Sequence, residues 1–193
     1  NPYPWFYSGE PSRDIKERWQ WTFPIVFSKA DPKRLYVSSQ RLWMTRDGGA
    51  TWEQLSGDLT RHAPETQGPS GGPITGDMNG PEVYGTIFAV APGKRNVDVI
   101  WAGSDDGLVH VTRDNGKTWT NVTPPDMPDF GRVSQIDPFT ASSVVSTTTG
   151  PDEVPLLTSV PRGFRLSSDA GSVSLPTESY TTFTPLPPVM SLT

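Results

Sequence analysis

Four acidic side chains, Asp77, Glu82, Asp105 and Asp106, lie outside the repeated turns of this sequence and could act as a catalytic pair. Hydrolysis of a glycosidic bond needs two carboxyl groups facing each other across a pocket, about 5 to 9.5 Å apart depending on stereochemistry. Asp77 and Glu82 fall in a long Gly- and Pro-containing stretch, 59–85. Asp106 belongs to Asp105-Asp106-Gly107, where an Asp-Gly step has a plain turn explanation. For each of the four, solvation or turn-forming is the simpler role, which leaves Asp77, Glu82 and Asp106 as catalytic candidates. Gly68-Pro69-Ser70-Gly71-Gly72 fits the Gly-x-Ser-x-Gly nucleophile elbow. That motif needs a strand before it and a helix after it; here 61–67 is polar and Pro73 follows, so an ordered loop is expected. Gly116-Lys117-Thr118 shares the ending of a phosphate-binding loop, but Val111 stands where the leading Gly would be and no helix follows.

The composition removes whole classes of chemistry. There is no Cys, hence no disulfide framework, thiolate metal site or Cys nucleophile, and the only two His, His62 and His110, cannot build a His-rich metal cage. No metal or other cofactor is expected. A net charge of -5 without a basic stripe argues against nucleic acid as a partner. No segment reaches the ~18 to 20 continuous apolar residues of a membrane-spanning helix. The chain begins at Asn1 with no signal-peptide pattern, which suggests a removed leader or a piece of a longer chain. Asn121-Val122-Thr123 is a glycosylation triplet of little weight.

The elements that must position these residues come as a repeat. Strands are expected over 23–28, 35–39, 41–45 and 51–55, and again over 86–91, 99–104, 108–112 and 118–122, each set joined by Gly- or Asp-containing turns into an antiparallel meander. A third copy opens at 132–138. Helix evidence is limited to a turn or two within 12–20. Two turns match each other: Thr45-Arg46-Asp47-Gly48-Gly49-Ala50-Thr51-Trp52 and Thr112-Arg113-Asp114-Asn115-Gly116-Lys117-Thr118-Trp119, both Ser/Thr-x-Asp-x-Gly-x-Thr-Trp and 67 residues apart. In such a turn Asp accepts hydrogen bonds from nearby backbone N–H groups, Gly supplies a positive φ, and Trp folds back as apolar cover. Thr45, Asp47, Gly49 and Trp52, with Thr112, Asp114, Gly116 and Trp119, are therefore read as structural.

This turn resembles the Asp-box, or bacterial neuraminidase repeat, of sialidase-like β-propellers and of the sortilin-type receptor propeller. The wider sequence is similar to large bacterial sortilin-like proteins labelled glycosyl hydrolases, through Trp19-Gln20-Trp21-Thr22-Phe23-Pro24-Ile25, Gly68-Pro69-Ser70-Gly71-Gly72-Pro73-Ile74-Thr75, and Ile100-Trp101-Ala102-Gly103-Ser104-Asp105-Asp106-Gly107-Leu108-Val109-His110. The resemblance covers residues 1–138. It implies an all-β fold, a partial β-propeller of about two four-stranded antiparallel blades plus the start of a third, with each Asp-box on the periphery. It also implies an extracellular or periplasmic location. Sialidase-type catalysis would want an Arg cluster and a Tyr nucleophile; Arg61, Arg113 and Tyr84 exist, but nothing in the sequence brings them together. Propellers usually need at least about four blades to close, so the chain reads as a fragment whose partners include the remaining blades of a longer chain.

The composition breaks near residue 139. All seven Trp and the last Lys precede it, and 139–193 holds 20 Ser or Thr and 7 Pro. This tail has too little apolar surface to offset the entropy of ordering; disorder, or a segment that is not the native continuation of the fold, is expected. Two functions follow. The first is a non-catalytic propeller segment serving as a protein- or glycan-binding scaffold, sortilin-like, with the N-terminal aromatics Tyr3, Trp5, Phe6, Tyr7, Trp19 and Trp21 used either for stacking on sugars or, more simply, for packing between blades. The second is part of a glycoside hydrolase whose active site is completed by missing blades; the chain alone is expected to be inactive.

Overall fold

A computed structural model describes residue 2, residues 10–69 and 83–137, and the backbone alone of 138, 143–148 and 164–167. Among these the chain is all-β apart from two single-turn 3-10 helices, Ser12–Asp14 and Pro64–Thr66. The first sheet is an antiparallel meander of β1 (Ile25–Phe27), β2 (Leu35–Ser38), β3 (Leu42–Thr45) and β4 (Glu53–Gln54), in that spatial order. The second repeats it with β5 (Ile87–Pro92), β6 (Ile100–Ser104), β7 (Val109–Thr112) and β8 (Thr120–Asn121). The outermost strands are shorter than their sequence suggests, because Thr51, Trp52, Thr118 and Trp119 are consumed by the preceding turns. A third sheet joins β9 (Arg132–Pro138) antiparallel to β10 (Ser143–Thr148), and β10 parallel to β11 (Phe164–Ser167), so the meander does not continue. The rest of 139–193 lies outside the described residues.

Strand alternation gives the second sheet two apolar faces, one on the first sheet and one on β9. Tyr36, Leu42 and Met44 of the first sheet bury against Ile87, Val90, Ile100 and Ala102 of the second. The opposite face of the second sheet, with Ala89, Trp101, Val109 and Val111, closes on Val133 and Ile136 of β9. Gly103 lets β9 come this close: a Cβ there would sit 2.3 Å from a Val133 methyl. Four-stranded meanders stacked face to face are the blades of a β-propeller, here a partial one.

The two Thr-x-Asp-x-Gly-x-Thr-Trp turns share one hydrogen-bond pattern. The Thr45 hydroxyl donates to Asp47 Oδ1 (2.8 Å) and accepts the Gly49 N–H (3.0 Å), while Asp47 accepts the Thr51 N–H (2.9 Å) and hydroxyl (2.6 Å). Thr112, Asp114, Gly116 and Thr118 do the same at 2.8, 2.9, 2.9 and 2.6 Å. Left-handed backbone falls on two successive residues of each turn, Gly48 and Gly49 (φ 70 and 94) and Asn115 and Gly116 (φ 59 and 87); Asn tolerates this conformation better than most residues. The indoles differ. Trp52 Nε1 donates to Gly49 O of its own turn (3.0 Å), as apolar cover requires, but Trp119 Nε1 crosses to Leu55 O of the first sheet (2.9 Å).

Candidate functional site

The β6–β7 hairpin is where the structure departs most from a solvated turn tip. Asp105 is 4% exposed and Asp106 1%. The sharp turn at Gly107 (φ 92) bends the chain over, and both carboxylates point into the protein, where backbone donors await them. Asp105 Oδ1 accepts the N–H groups of Gly85 (3.1 Å) and Thr86 (2.8 Å), and Oδ2 the Thr86 hydroxyl (2.8 Å). Asp106 Oδ1 accepts the Ser104 hydroxyl (2.5 Å) and Oδ2 the Arg61 N–H (2.8 Å), while Arg61 Nε donates to Asp106 O (2.8 Å). Asp105 thus fixes the entry to β5, and Asp106 anchors the connection that leaves the first sheet. Neither is a solvated carboxylate, because the hairpin is folded under the chain rather than projected into water.

Above this hairpin lies an open groove of about 680 Å³. One wall is Gln20, Trp21 and Thr22, leading into β1; the other is Asp129, Phe130, Gly131 and Arg132, leading into β9; Tyr84, Phe88 and Asp105 lie between them. The lead-in wall is fixed from behind. The almost fully buried Arg18 guanidinium bonds to Gly85 O (2.8 Å), Asp58 Oδ2 (2.7 Å) and Thr60 Oγ1 (3.1 Å), and the Gln20 side-chain amide donates to Val83 O. On the other wall Phe130 has φ 57, a strained value for a bulky residue. Arg61 holds that turn, its guanidinium 5.2 Å from the Phe130 ring centroid and 3.2 Å from Asp129 Oδ1. Arg132 stacks on Phe88 at 4.9 Å. Trp21 is 67% exposed and Phe130 40%, so the groove offers ring faces to solvent.

Burial drives the Asp105 carboxyl up to about 6 against the pull of its three donors, with Asp106 adding repulsion. Burial likewise pushes Tyr84 up to about 12, helped by the same two carboxylates. The phenol therefore keeps its proton, which disfavours it as a nucleophile; its hydroxyl donates to Asp105 O (3.3 Å). At the exposed boxes the opposite holds: donation from the Thr51 hydroxyl and N–H, then Thr45, brings Asp47 to about 2, and Thr118 with Thr112 does so for Asp114.

The structure brings Arg61, Tyr84, Asp105 and Asp106 together and leaves Arg113 apart, exposed at the far end of β7 in the second repeated turn. Asp77 and Glu82 lie outside the described residues, as do Ser70 and the aromatic residues Tyr3, Trp5, Phe6 and Tyr7. Phe88, Phe130 and Arg132 were not singled out by sequence, since each reads as an ordinary strand or turn residue. Among the described residues no three His, Asp or Glu side chains gather as metal ligands, and no helix is long and apolar enough to cross a membrane.

No family model matches the chain, and no curated protein does. Among solved structures it is similar to YCF48 bound to D1 peptide, with 20% identity and a TM-score of 0.39 over 69% of this chain and 38% of that one. The chain spans well under half the length of that protein.

Proposed function

We propose that the chain is a non-catalytic binding scaffold of the sortilin-like kind, working in an extracellular or periplasmic setting, and that its groove takes a segment of a protein partner. One observation carries this reading: ring faces of Trp21, Phe88 and Phe130 surround an open groove in which both buried carboxylates are spent on internal hydrogen bonds. Such a surface has apolar ring faces to offer a ligand. It suits an aromatic or aliphatic side chain. Titration of synthetic 12-residue peptides carrying Phe or Leu, followed by tryptophan fluorescence, tests it. Binding should weaken about tenfold or more in Phe130→Ala, the usual effect of removing a central anchor. Binding indifferent to that substitution, or seen only with oligosaccharides, refutes the protein-segment reading.

The raised carboxyl of Asp105 favours a second reading, glycoside hydrolysis with Asp105 as proton donor and its companion carboxylate supplied from outside the described residues. Turnover of fluorogenic sialosides or β-glycosides that disappears in Asp105→Asn would promote it.

A further inference from the structure

We infer that the end of the stacked sheets opposite the groove is a docking face for an anionic lipid surface. Four turns form this end: 28–34 and 46–52 of the first sheet, 93–99 and 113–119 of the second, following β1, β3, β5 and β7. Antiparallel pairing puts the two turns of each sheet side by side. Arg34 Nη1, donating to Asn115 Oδ1 (2.7 Å), joins the turns of one sheet to those of the next. The groove lies at the other end, where β1, β5 and β9 begin.

Charge is divided along the strands. The four turns hold eight of the chain's 16 Lys and Arg and only four of its 21 Asp and Glu. At the other end the described segments 10–24, 39–41, 55–69, 83–86, 105–108 and 122–131 hold five Lys or Arg against nine Asp or Glu. A chain of net charge -5 thus presents one positive end. Its cations come from separate stretches of sequence, so no basic run marks them; the fold gathers them.

The structure of the turns does not consume these cations. Lys29, Lys33, Arg46, Arg95, Arg113 and Lys117 are exposed, and none of their side chains enters an ion pair or hydrogen bond among the described residues. Arg46 and Arg113 hold the same place in the repeated turns, whose bonds are made by Thr, Asp and Gly. The carboxylates, by contrast, are engaged: Asp47 and Asp114 by Thr hydroxyls, Asp31 by Arg34 (3.1 Å). Unpaired cations at one end call for a surface of opposite charge. They stand on turn tips of two sheets about 10 Å apart, an array spread in two directions rather than a row along a groove. Such an array meets a plane of headgroups more fully than it meets one nucleic-acid strand or acidic peptide. The acidic end is repelled by the same plane, so the groove faces away from it.

Flotation of the full chain with phosphatidylcholine vesicles carrying about one-third phosphatidylglycerol tests this. Binding is expected at about 0.05 M salt and lost at about 0.5 M, where screening is strong, with none to phosphatidylcholine alone. Arg46→Gln with Arg113→Gln should weaken binding about 25-fold, roughly fivefold per charge, at an unchanged urea midpoint. Lys33→Gln with Lys117→Gln should do the same and stands in if the first pair misfolds. Arg13→Gln with Lys16→Gln, an equal change in net charge at the groove end, should leave binding unchanged. No flotation at low salt, equal binding to neutral vesicles, a loss as great in the Arg13 and Lys16 pair, or tighter binding to a DNA oligonucleotide or polyglutamate than to the vesicles would each overturn the inference. Peptide titration of the groove is a separate readout, so failure of either leaves the other intact.

Discussion

Asp105→Asn isolates the cost of holding a charge beneath the β6–β7 hairpin. The folded carboxyl titrates at about 6 and the free one near 3.8. Since the folded value is the higher, its contribution to stability is complete below about pH 3.8, declines as pH rises through about 6, and is level above that. Two units correspond to about 3 kcal/mol, a large share of the 5 to 15 kcal/mol typical of a folded domain. Asn keeps an oxygen for the Gly85 and Thr86 N–H groups, turns an amide N–H toward the Thr86 hydroxyl, and carries no charge at any pH. The stability of Asp105→Asn relative to the parent should therefore climb by about 3 kcal/mol between about pH 3.5 and 7. Urea unfolding followed by tryptophan fluorescence at several pH values measures that difference, and other titrating groups cancel from it. A difference that stays level, or falls with pH, would show that the three donors outweigh burial and that the reasoning is wrong.

Asp114→Ala should lower the thermal midpoint more than Asp47→Ala, because the second turn also sets Trp119 and Gly116 against Leu55; equal losses would sever the box from the inter-sheet joint. Both box contributions should fade as pH falls from about 3.8 toward about 2, the direction opposite to Asp105, since these carboxyls are depressed in the fold. Gly103→Ala should cost about 1 to 3 kcal/mol by overpacking against the β-branched Val133, read as a shift in urea midpoint at constant slope. Arg18→Ala should cost about 2 to 4 kcal/mol, since Gly85 O and Thr60 Oγ1 lose their donor and Asp58 stays partly hydrated.

The meanders were legible because strand length, alternation and turn chemistry agree: Leu35–Ser38 and Leu42–Thr45 alternate around a short polar break and run into a turn whose Asp and Gly admit few conformations. The buried hairpin carboxylates were not, because Asp-Gly is an adequate turn by itself and its burial depends on residues far away in sequence. A signal did exist. Ser39 and Ser104 play the same part, each accepting from its own hairpin through its hydroxyl, so that Gln40 and Asp105 occupy one place in the repeat. Both are buried and both hold the segment entering their sheet, Gln40 through the Arg18 N–H and Lys16 O, Asp105 through Gly85 and Thr86. Aligning the hairpins as well as the boxes would have marked Asp105 as internal. The groove had no comparable trace, since its walls come from the lead-ins to β1 and β9, more than a hundred residues apart.

Near-identical turns therefore do different work according to what precedes them. Thr, Asp and Gly close both turns through the same bonds, so their role is local and travels with the motif. The tryptophan's partner does not travel with the motif: its N–H bonds inside its own turn in one copy and to the sheet before it in the other. For Trp119 the partner is Leu55 O, which follows the first sheet's last strand, and the bond helps lock one sheet on the next. Trp52 instead closes on Gly49 O, so its bond stays inside its own turn.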